Sequence, residues 1–256
     1  MICYTRNFED VILQRVFKDM PVGRYVDVGA CFPRQDSNTY ALYEKGWCGL
    51  VVEPLLTAEM RSEWTRFRPR DIVAEVAVGQ EEGLLDFHLF PQRQISSGDP
   101  ATVEHWKRHG NQPVQTIKVP KLRLSSLYEK HFPTGDWHLL SVDVEGMELD
   151  VLRGLDLTAH RPWMMVIEAV LPGLPSPNHM TWEPHLLAQG YQFAYFDGVN
   201  RFYVAHERRH LLRHFDVPPN VWDEITMATE LELRRRLELA DAEVARLRSE
   251  LAALRK

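Results

Sequence analysis

The fold is decided by residues 25–54, which read YVDVGACFPRQDSNTYALYEKGWCGLVVEP. A short apolar run that carries Asp27 leads into the small-residue turn Gly29-Ala30, and a helix is predicted from about Ser37. A second apolar run follows and ends at Glu53. In an open parallel sheet, ligands bind beyond the carboxyl ends of the strands, where the glycine turn and Glu53 fall. Because an acid at the end of the second strand can accept hydrogen bonds from a ribose diol, this stretch predicts a nucleoside-binding half.

The rest of the chain continues the alternation of helices and strands. Helices are predicted over residues 8–17, 37–45, 58–67, 146–152 and 182–189, and strands over 25–28, 49–52, 72–78, 138–144 and 163–167. Strands over 84–90 and 114–119 are expected as antiparallel additions around a long polar loop, 91–112, and a proline-rich loop is expected over 171–178. Asp197-Gly198 between two apolar runs predicts a hairpin of strands 191–196 and 201–204. Together these patterns predict an α/β fold with a Rossmann-like, mostly parallel, doubly wound sheet of about seven strands and an antiparallel closing hairpin.

The composition predicts a soluble protein with one main domain. A chain of 256 residues with 45% hydrophobic residues suits one core with an appendage, and a net charge of −6 argues against a nucleic-acid partner. No apolar run approaches the ~20 residues that a membrane span needs, and the N-terminus lacks the apolar core of a signal peptide. Its 3 cysteines have no metal-binding spacing and are expected to be reduced, so a cytoplasmic location is predicted.

A different pattern begins after Asn220. Apolar residues alternate spacings of four and three, as at the a and d positions of a coiled coil, at Leu233, Leu237, Ala240, Val244, Leu247, Leu251 and Leu254. Residues 1–225 are therefore predicted to form the main domain, and residues 226–256 a C-terminal coiled-coil or linker helix. We expect this helix to form a homo-oligomer or to link the domain to a partner. A helix docked on the main domain is the alternative, and the small Ala240 would weaken self-association.

The turn after the first strand distinguishes between types of cofactor. Gly29 is followed by Ala-Cys-Phe-Pro, so the GxGxxG pattern of dinucleotide-binding folds is absent. Asp27 before the turn would repel phosphate and attract a cationic ligand. S-adenosylmethionine fits both features, because it has no phosphate, a ribose diol for Glu53 and charged amino and sulfonium groups. A nicotinamide cofactor is the alternative.

Acids also end two later strands. Asp143 and Glu145 lie at the carboxyl end of the fourth strand and Glu168 closes the fifth, on the rim where Gly29 is expected. Glu145 and Glu148 could simply favour a helix N-terminus through its dipole. Asp143 needs another explanation, because a carboxylate at a buried strand end is costly without a partner. These strand-end acids could bind a divalent cation through oxygen ligands, or divide between cofactor and base roles.

Six motifs stand in order along the chain, and together they resemble one family. They are VDVGA (26–30), DS (36–37), GW (46–47), VEP (52–54), SVDVEG (141–146) and FDGVNRFY (196–203). They resemble the FkbM family of S-adenosylmethionine-dependent O-methyltransferases, over about residues 8–225. The resemblance implies a class I methyltransferase fold and methylation of a hydroxyl group on a sugar or a glycosylated metabolite. Relatives with the last motif often stand beside or are fused to glycosyltransferases, which implies a glycosyltransferase as a partner. Cys31 and Ser141 depart from the family pattern, where asparagine and lysine are expected.

The resemblance also implies where the cofactor binds. Asp27, the Gly29-Ala30 turn and Glu53 would hold the cofactor, with Asp143 beside its methionine end and Val78, within residues 77–79, near its adenine. The reaction would be an in-line displacement at the sulfonium methyl by a sugar oxygen. The protein must then align the two partners and remove a proton.

A sugar hydroxyl is too weak an acid to ionise unaided at neutral pH, so a base or a metal ion must help. His179, in the loop after the fifth strand, is the first candidate base, although it could be an ordinary surface histidine. His105 and His109 in the polar loop are further candidates. Asp143 and Glu168 could instead act as catalytic acids or hold a divalent metal such as Mg²⁺.

Three residues near the closing hairpin are candidates for binding the acceptor. Asn200 and Arg201 could bind sugar hydroxyls, and Trp182 could stack on a sugar ring. Arg201 could equally clamp the hairpin, and Trp182 could pack at the start of its helix. The sequence therefore predicts an O-methyltransferase that acts on a saccharide or glycan. Two alternatives stay open: a methyltransferase-like scaffold that assembles partners through its coiled coil, and methylation of a non-sugar hydroxyl in a secondary metabolite.

Overall fold

The computed structural model describes residues 1–171, 174 and 176–254, and over these residues the chain forms twelve strands and eight α-helices. The strands are β1 (Ile2–Cys3), β2 (Arg24–Val28), β3 (Cys48–Val52), β4 (Ile72–Ala74), β5 (Ala77–Val78), β6 (Gly83–Leu89), β7 (Gln115–Leu122), β8 (Leu139–Val142), β9 (Met164–Glu168), β10 (Tyr191–Phe196), β11 (Asn200–Ala205) and β12 (Thr226–Met227). The helices are α1 (Glu9–Val16), α2 (Tyr40–Glu44), α3 (Ala58–Phe67), α4 (Pro100–Arg108), α5 (Leu124–His131), α6 (Glu148–Arg153), α7 (Glu183–Ala188) and α8 (Ala228–Leu254).

The largest sheet has seven strands in the order β10-β11-β9-β8-β2-β3-β4. The five strands from β9 to β4 run parallel, and β11 is antiparallel to both of its neighbours. The predicted mostly parallel sheet of about seven strands, with its closing hairpin β10–β11, is therefore confirmed.

Both faces of this sheet are buried. Alternate residues of a strand face opposite sides, so Val26 and Val28 of β2 join the core on one face, together with side chains of α5, α6 and α7. Tyr25 and Val51 join the core on the other face, with side chains of α1, α2 and α3. Burial on both faces explains why the central strands read as continuous apolar runs. The helices cover the sheet as a doubly wound fold requires.

One predicted strand is divided in two. The strand predicted over residues 72–78 becomes β4, in the main sheet, and β5, which pairs with β7 in a separate sheet of order β5-β7-β6. The chain leaves the buried sheet between these two strands. At this position Glu75 is partly exposed and forms an ion pair with Arg61 at 2.6 Å. The predicted antiparallel strands 84–90 and 114–119 do pair with each other, as β6 and β7.

The predicted polar loop, 91–112, contains a helix, α4. The side chain of Asp99 accepts a 2.7 Å hydrogen bond from the amide of Thr102, and Pro100 occupies the first turn. An acid followed by proline is a helix-start signal, so the loop prediction was wrong and the sequence held the cue. Helix α5 was also not predicted.

Two helices begin at least two residues later than predicted. Helix α2 begins at Tyr40 instead of Ser37, although the hydroxyl of Ser37 accepts a hydrogen bond from the amide of Tyr40 at 3.2 Å. Helix α6 begins at Glu148 instead of Gly146, because Glu145 and Gly146 have left-handed φ values of 53° and 101°.

Helix α8 is exposed over residues 229–254, and none of its described residues is buried. Its apolar seam is therefore not packed against the main domain. The end of the predicted coiled-coil segment, residues 255–256, and part of the predicted proline-rich loop, residues 172, 173 and 175, lie outside the described residues. Within the described part of the chain, we find no helix with the length and apolar character needed to cross a membrane.

Candidate functional site

A cavity opens at the carboxyl ends of β2, β3 and β8, where the sequence predicts a ligand. It encloses about 1120 Å³, part of which is open to solvent. Its charged lining is mostly acidic, with Asp27, Asp36, Glu53, Asp143 and Glu145, and Arg93 is the one lysine or arginine among the described lining residues. Apolar side chains complete the wall, including Val52, Val78, Leu85 and Phe87.

Gly29 allows the ends of β2 and β8 to approach each other. Its φ of 83° is left-handed, and a Cβ atom built on it would lie 1.7 Å from the backbone oxygen of Asp143. The amide of Asp143 donates a 3.0 Å hydrogen bond to the carbonyl of Val28, which holds the two segments side by side. The sequence predicted that a ligand would approach the backbone closely at this turn. In the structure the backbone at Asp143 makes this close approach, and only glycine leaves enough space for it.

Asp27 lies at the base of the cavity and is 4% exposed. The hydroxyl of Thr39 donates a 2.6 Å hydrogen bond to its carboxylate. Burial raises the pKa of Asp27, and the positive charge of Arg68 opposes this rise. Arg68 is itself buried, donates to the hydroxyl of Thr39 at 2.8 Å and forms an ion pair with Asp71. Asp27 therefore belongs to a buried charged network beneath the cavity.

Glu53 is held by three donors at the end of β3. Its Oε2 accepts a hydrogen bond from the amide of Cys31 at 3.2 Å. Its Oε1 accepts from the amide of Leu55 and from Nη2 of Arg93, both at 3.1 Å. Burial raises the pKa of Glu53, and the positive charge of Arg93 opposes the rise. The two backbone donors fix this carboxylate at the rim of the cavity.

Arg93 is a lining residue that the sequence did not reveal. It begins a short 3-10 turn, Arg93–Ile95, within the predicted polar loop. This segment is tied down where Ser97 pairs with His88 and donates a 2.9 Å hydrogen bond to the carbonyl of Glu145. The Nε of Arg93 is buried without a hydrogen-bond partner. A single arginine in a polar loop carries no spacing signal, so only the folded structure identifies it.

Four acids lie together at the ends of β8 and β9: Asp143, Glu145, Glu148 and Glu168. Burial raises the pKa of Asp143 to about 6 and that of Glu148 to about 7. Burial, together with the negative charges of Asp143 and Glu148, raises the pKa of Glu145 to about 9. Burial and the charge of Asp143 also raise the pKa of Glu168 well above its ordinary value.

Glu145 is the strained member of this acidic cluster. Its left-handed φ is uncommon for a residue with a side chain, and its Oε2 is buried without a hydrogen-bond partner, as is the Oε2 of Glu168. Strained backbone and unpartnered buried oxygens are concentrated at functional sites. The sequence allowed Glu145 to be an ordinary helix N-terminal acid, whereas the structure places it in the lining of the cavity.

The predicted metal role of Asp143 and Glu168 is not supported. Among the residues that the structure describes, no three histidine, cysteine, aspartate or glutamate side chains are grouped so as to hold a metal ion.

Residues 27–193 match the family model described as the methyltransferase FkbM domain. The chain belongs to the FkbM methyltransferase family. This confirms the family that the six motifs indicated, and the seven-stranded sheet is compatible with a methyltransferase fold. No curated protein and no solved structure matches the chain.

The predicted cofactor residues of this FkbM protein lie around one cavity. Its described lining includes Asp27, Gly29, Ala30, Glu53, Val78 and Asp143. Cys31 and Ser141, which depart from the family pattern, also line it. Cys31 has a left-handed φ of 47°, and its backbone amide donates a hydrogen bond to Glu53. The hydroxyl of Ser141 accepts a 3.1 Å hydrogen bond from the side-chain amide of Asn38. The roles of all these residues in cofactor binding stay predictions.

His179, the predicted base of the FkbM protein, is not among the described residues that line the cavity. Its Nε2 lies 3.3 Å from Nη1 of Arg201 and 3.9 Å from Oε2 of Glu183. Its neighbour Asn178 contacts the acidic cluster instead, with its Nδ2 3.5 Å from Oε2 of Glu148. The loop after β9 therefore reaches the acids through Asn178, while His179 belongs to a network at the hairpin.

Arg201 is the centre of that network. It forms an ion pair with Glu183 at 2.8 Å and donates a 3.0 Å hydrogen bond to the hydroxyl of Tyr203. Its guanidinium group also lies 3.9 Å from the ring centre of Phe193. These contacts hold the hairpin to α7, as the structural-clamp alternative for Arg201 predicted.

Two other predicted acceptor residues are internal. Trp182 is 1% exposed and packs edge-on against Tyr203 in the core, so the predicted stacking on a sugar ring is wrong. Asn200 is buried, and its amide donates a 2.8 Å hydrogen bond to Glu9, which joins β11 to α1. His105 and His109 stack on each other near the end of α4 and are not among the described lining residues.

Proposed function

We propose that this FkbM protein is an S-adenosylmethionine-dependent O-methyltransferase whose acceptor is a sugar hydroxyl of a glycan or a glycosylated metabolite. The observation that carries the proposal is the joint placement of Asp27, Glu53 and Asp143 in one cavity, at the ends of three neighbouring parallel strands. Ligands of open parallel sheets bind at this edge. Family membership supplies the reaction class, which is methyl transfer.

The chemistry of the lining suits a cationic nucleoside better than a nucleotide. Among the described lining residues, acids outnumber the one arginine, so a diphosphate would be repelled, whereas sulfonium and amino groups would be attracted. Glu145 adds a buried oxygen that lacks a partner and is free to face such a cation. Val78, Leu85 and Phe87 provide an apolar wall for a base ring. These features fit S-adenosylmethionine.

The residues divide into roles along the cavity. Glu53 accepts hydrogen bonds from the ribose hydroxyls. Arg93 then either shares Oε1 of that carboxylate with the ribose or loses its hydrogen bond to this oxygen. Asp143 and Glu145 face the positively charged end, and Ala77 and Val78 contact the base. When bound, the cofactor supplies an electrophilic methyl group on its sulfonium.

A proton acceptor is needed for the sugar hydroxyl, and we assign this role to Glu145. It lines the cavity and has an unpartnered Oε2, whereas His179 is held next to Arg201. A pKa of about 9 keeps Glu145 protonated at neutral pH when no ligand is present. A cation close to the carboxyl favours its ionised form and lowers this pKa, so cofactor binding would itself generate the base.

A matched pair of variants tests this assignment. Glu145→Gln should reduce turnover at least ~100-fold, because general base catalysis contributes that much, and should also weaken cofactor binding, because the ionised carboxyl faces the cation. His179→Gln should leave turnover within about threefold of the wild type, less than 1 kcal/mol in barrier height. The reverse pattern would return the role to His179.

The function itself is tested by titration calorimetry with S-adenosylmethionine, followed by incubation with free, nucleotide-linked and lipid-linked sugars and with non-sugar alcohols. Formation of S-adenosylhomocysteine with a methylated saccharide supports the proposal. Transfer to non-sugar alcohols alone would change the substrate class. Binding without transfer to any acceptor would favour the scaffold alternative, and no binding would overturn the cofactor assignment. A glycosyltransferase partner fits the proposal, because its product would carry the acceptor hydroxyl.

A further inference from the structure

The C-terminal helix carries an apolar seam that no part of the described structure covers. Helix α8 has 27 residues, none of them buried. Six apolar residues along the seam are between 45% and 85% exposed: Leu233, Leu237, Val244, Leu247, Leu251 and Leu254. Single exposed leucines are common, but a continuous apolar stripe over roughly 33 Å of helix marks an interaction surface.

We propose that this seam pairs with the same seam of a second copy of the chain, as a parallel, in-register, two-stranded coiled coil. The spacing assigns the heptad positions. Positions d are Leu233, Ala240, Leu247 and Leu254, and positions a are Leu237, Val244 and Leu251. The inference is independent of the proposed enzymatic function.

The charges beside the seam favour the parallel orientation. In a parallel in-register pair, each g residue faces the e residue of the following heptad on the other helix. Arg236 at g then faces Asp241 at e. Glu243 at g likewise faces Arg248 at e. Both pairs are attractive, and the two-fold symmetry repeats each of them.

In an antiparallel pair, the charges that face each other beside the seam are not all of opposite sign. Such a pair brings g positions to g positions and e positions to e positions. Two antiparallel registers overlap most of the seam. In one, Glu243 would face Glu250 while Asp241 faces Arg248, and in the other, Arg234 would face Arg248 while Arg236 faces Glu250. Each antiparallel register therefore combines a repulsive with an attractive contact, whereas both contacts of the parallel pair are attractive, so the charges favour the parallel orientation.

The flanking charges are available for pairing between chains. Arg236 contacts Glu232 and Glu243 contacts Arg246 within the helix, and all four side chains are about half exposed or more. Exposed ion pairs of this kind are weak, so exchange for a partner on the second helix costs little. Asp241 and Arg248 form no ion pair with any other described residue. A parallel pair then holds both main domains at the same end of the coil.

Sedimentation of the full chain over a concentration series tests the inference. We expect a shift from the 29.8 kDa monomer to twice that mass as the concentration rises. Asp241→Arg places like charges at both symmetry-related contacts with Arg236 and should raise the dimer Kd about tenfold. The double variant Arg236→Glu with Asp241→Arg restores opposite charges and should return the Kd to near that of the wild type. Only the parallel arrangement predicts this restoration, because the antiparallel registers do not bring these two residues together.

Ala240→Leu provides a control in the opposite direction. It fills the small d position of the seam and should tighten the dimer, while circular dichroism checks that every variant keeps its helix content. A chain that stays monomeric at all concentrations, also with Ala240→Leu, would overturn self-association. A dimer that Asp241→Arg does not weaken, or that the double variant does not restore, would overturn the parallel arrangement.

Discussion

The guanidinium group of Arg93 lies 3.1 Å from Oε1 of Glu53, across the rim of the acidic cavity. Both side chains are largely buried, with 19% and 10% of their surfaces exposed. The positive charge of Arg93 opposes the effect of burial, which raises the pKa of Glu53. A residue from the polar loop thus helps to keep the proposed ribose-binding acid ionised.

Removal of this charge should make cofactor binding more sensitive to acid. In Arg93→Gln the pKa of Glu53 rises further, and a protonated carboxyl accepts hydrogen bonds less well. We expect the affinity for S-adenosylmethionine to fall about tenfold relative to the wild type near pH 6 and less near pH 8, in titration calorimetry. Arg93→Lys retains a positive charge and is the control. The same pH dependence in Arg93→Gln and in the wild type would count against a coupling between the two residues.

Cofactor affinity should depend on the two acids at the ends of β2 and β3. We expect Asp27→Ala and Glu53→Ala each to weaken binding of S-adenosylmethionine at least about tenfold, or ~1.4 kcal/mol. Asp36 is a matched control, because it also lines the cavity but forms an ion pair with Arg6 at 2.8 Å. Asp36→Ala should change the affinity little. Thermal unfolding of each variant is needed, since Asp27 also bonds to Thr39. Unchanged affinity in both acid variants would remove the binding-site assignment.

Gly29 should tolerate no side chain. Alanine at Gly29 combines a left-handed φ of 83° with a clash against the backbone of Asp143, whereas Gly198 has a φ of 103° and no atom within 4 Å of the position that a Cβ would occupy. Gly198→Ala should cost about 1 kcal/mol from its backbone conformation alone. Gly29→Ala should cost at least ~2 kcal/mol more, because the ends of β2 and β8 must separate. Urea unfolding of both variants measures the difference, and equal costs would contradict the backbone contact.

The ligand-free protein should lose stability as the pH rises through the weakly alkaline range. Burial and neighbouring acids raise the pKa of Glu145 from its ordinary 4.5 to about 9, so the folded state binds more protons than the unfolded state between these values. The contribution of Glu145 is therefore fully present below pH 4.5 and is lost as the pH passes 9. Glu145→Gln should flatten the decline of the free energy of unfolding between about pH 6 and pH 9, measured by urea unfolding. A decline as steep as that of the wild type would argue against the raised pKa.

The main domain should fold without most of α8. A chain that ends at Glu230 keeps the β1–β12 pair and loses a helix with no buried residue. Its free energy of unfolding should stay within about 0.5 kcal/mol of that of the full chain. Sedimentation should give a monomer at every concentration. If the shortened chain fails to fold, the helix belongs to the core, and the predicted domain boundary at residue 225 is wrong.

The local sequence was sufficient to predict the sheet and the edge of the sheet at which the cavity opens. Asp27 and Glu53 stand at the ends of short apolar runs, and parallel strands necessarily bring their carboxyl ends to one edge. Gly29 marks the turn between strand and helix. These features depend only on residues close together in the chain, so the spacing of apolar residues, the turn residues and the direction of the strands determine them.

Long-range packing decided what the local pattern could not. Arg93 reaches Glu53 from forty positions along the chain, Glu145 lines the cavity because of its left-handed backbone, and Trp182 turns inward to the core. The side-chain direction of each follows from segments that meet only in the folded protein. The sequence by itself therefore determined the sheet, the heptads and the family, because these follow from local order. Only the tertiary structure decided which acids, cations and aromatic rings share the site, because burial and contact distance depend on residues far apart in the chain.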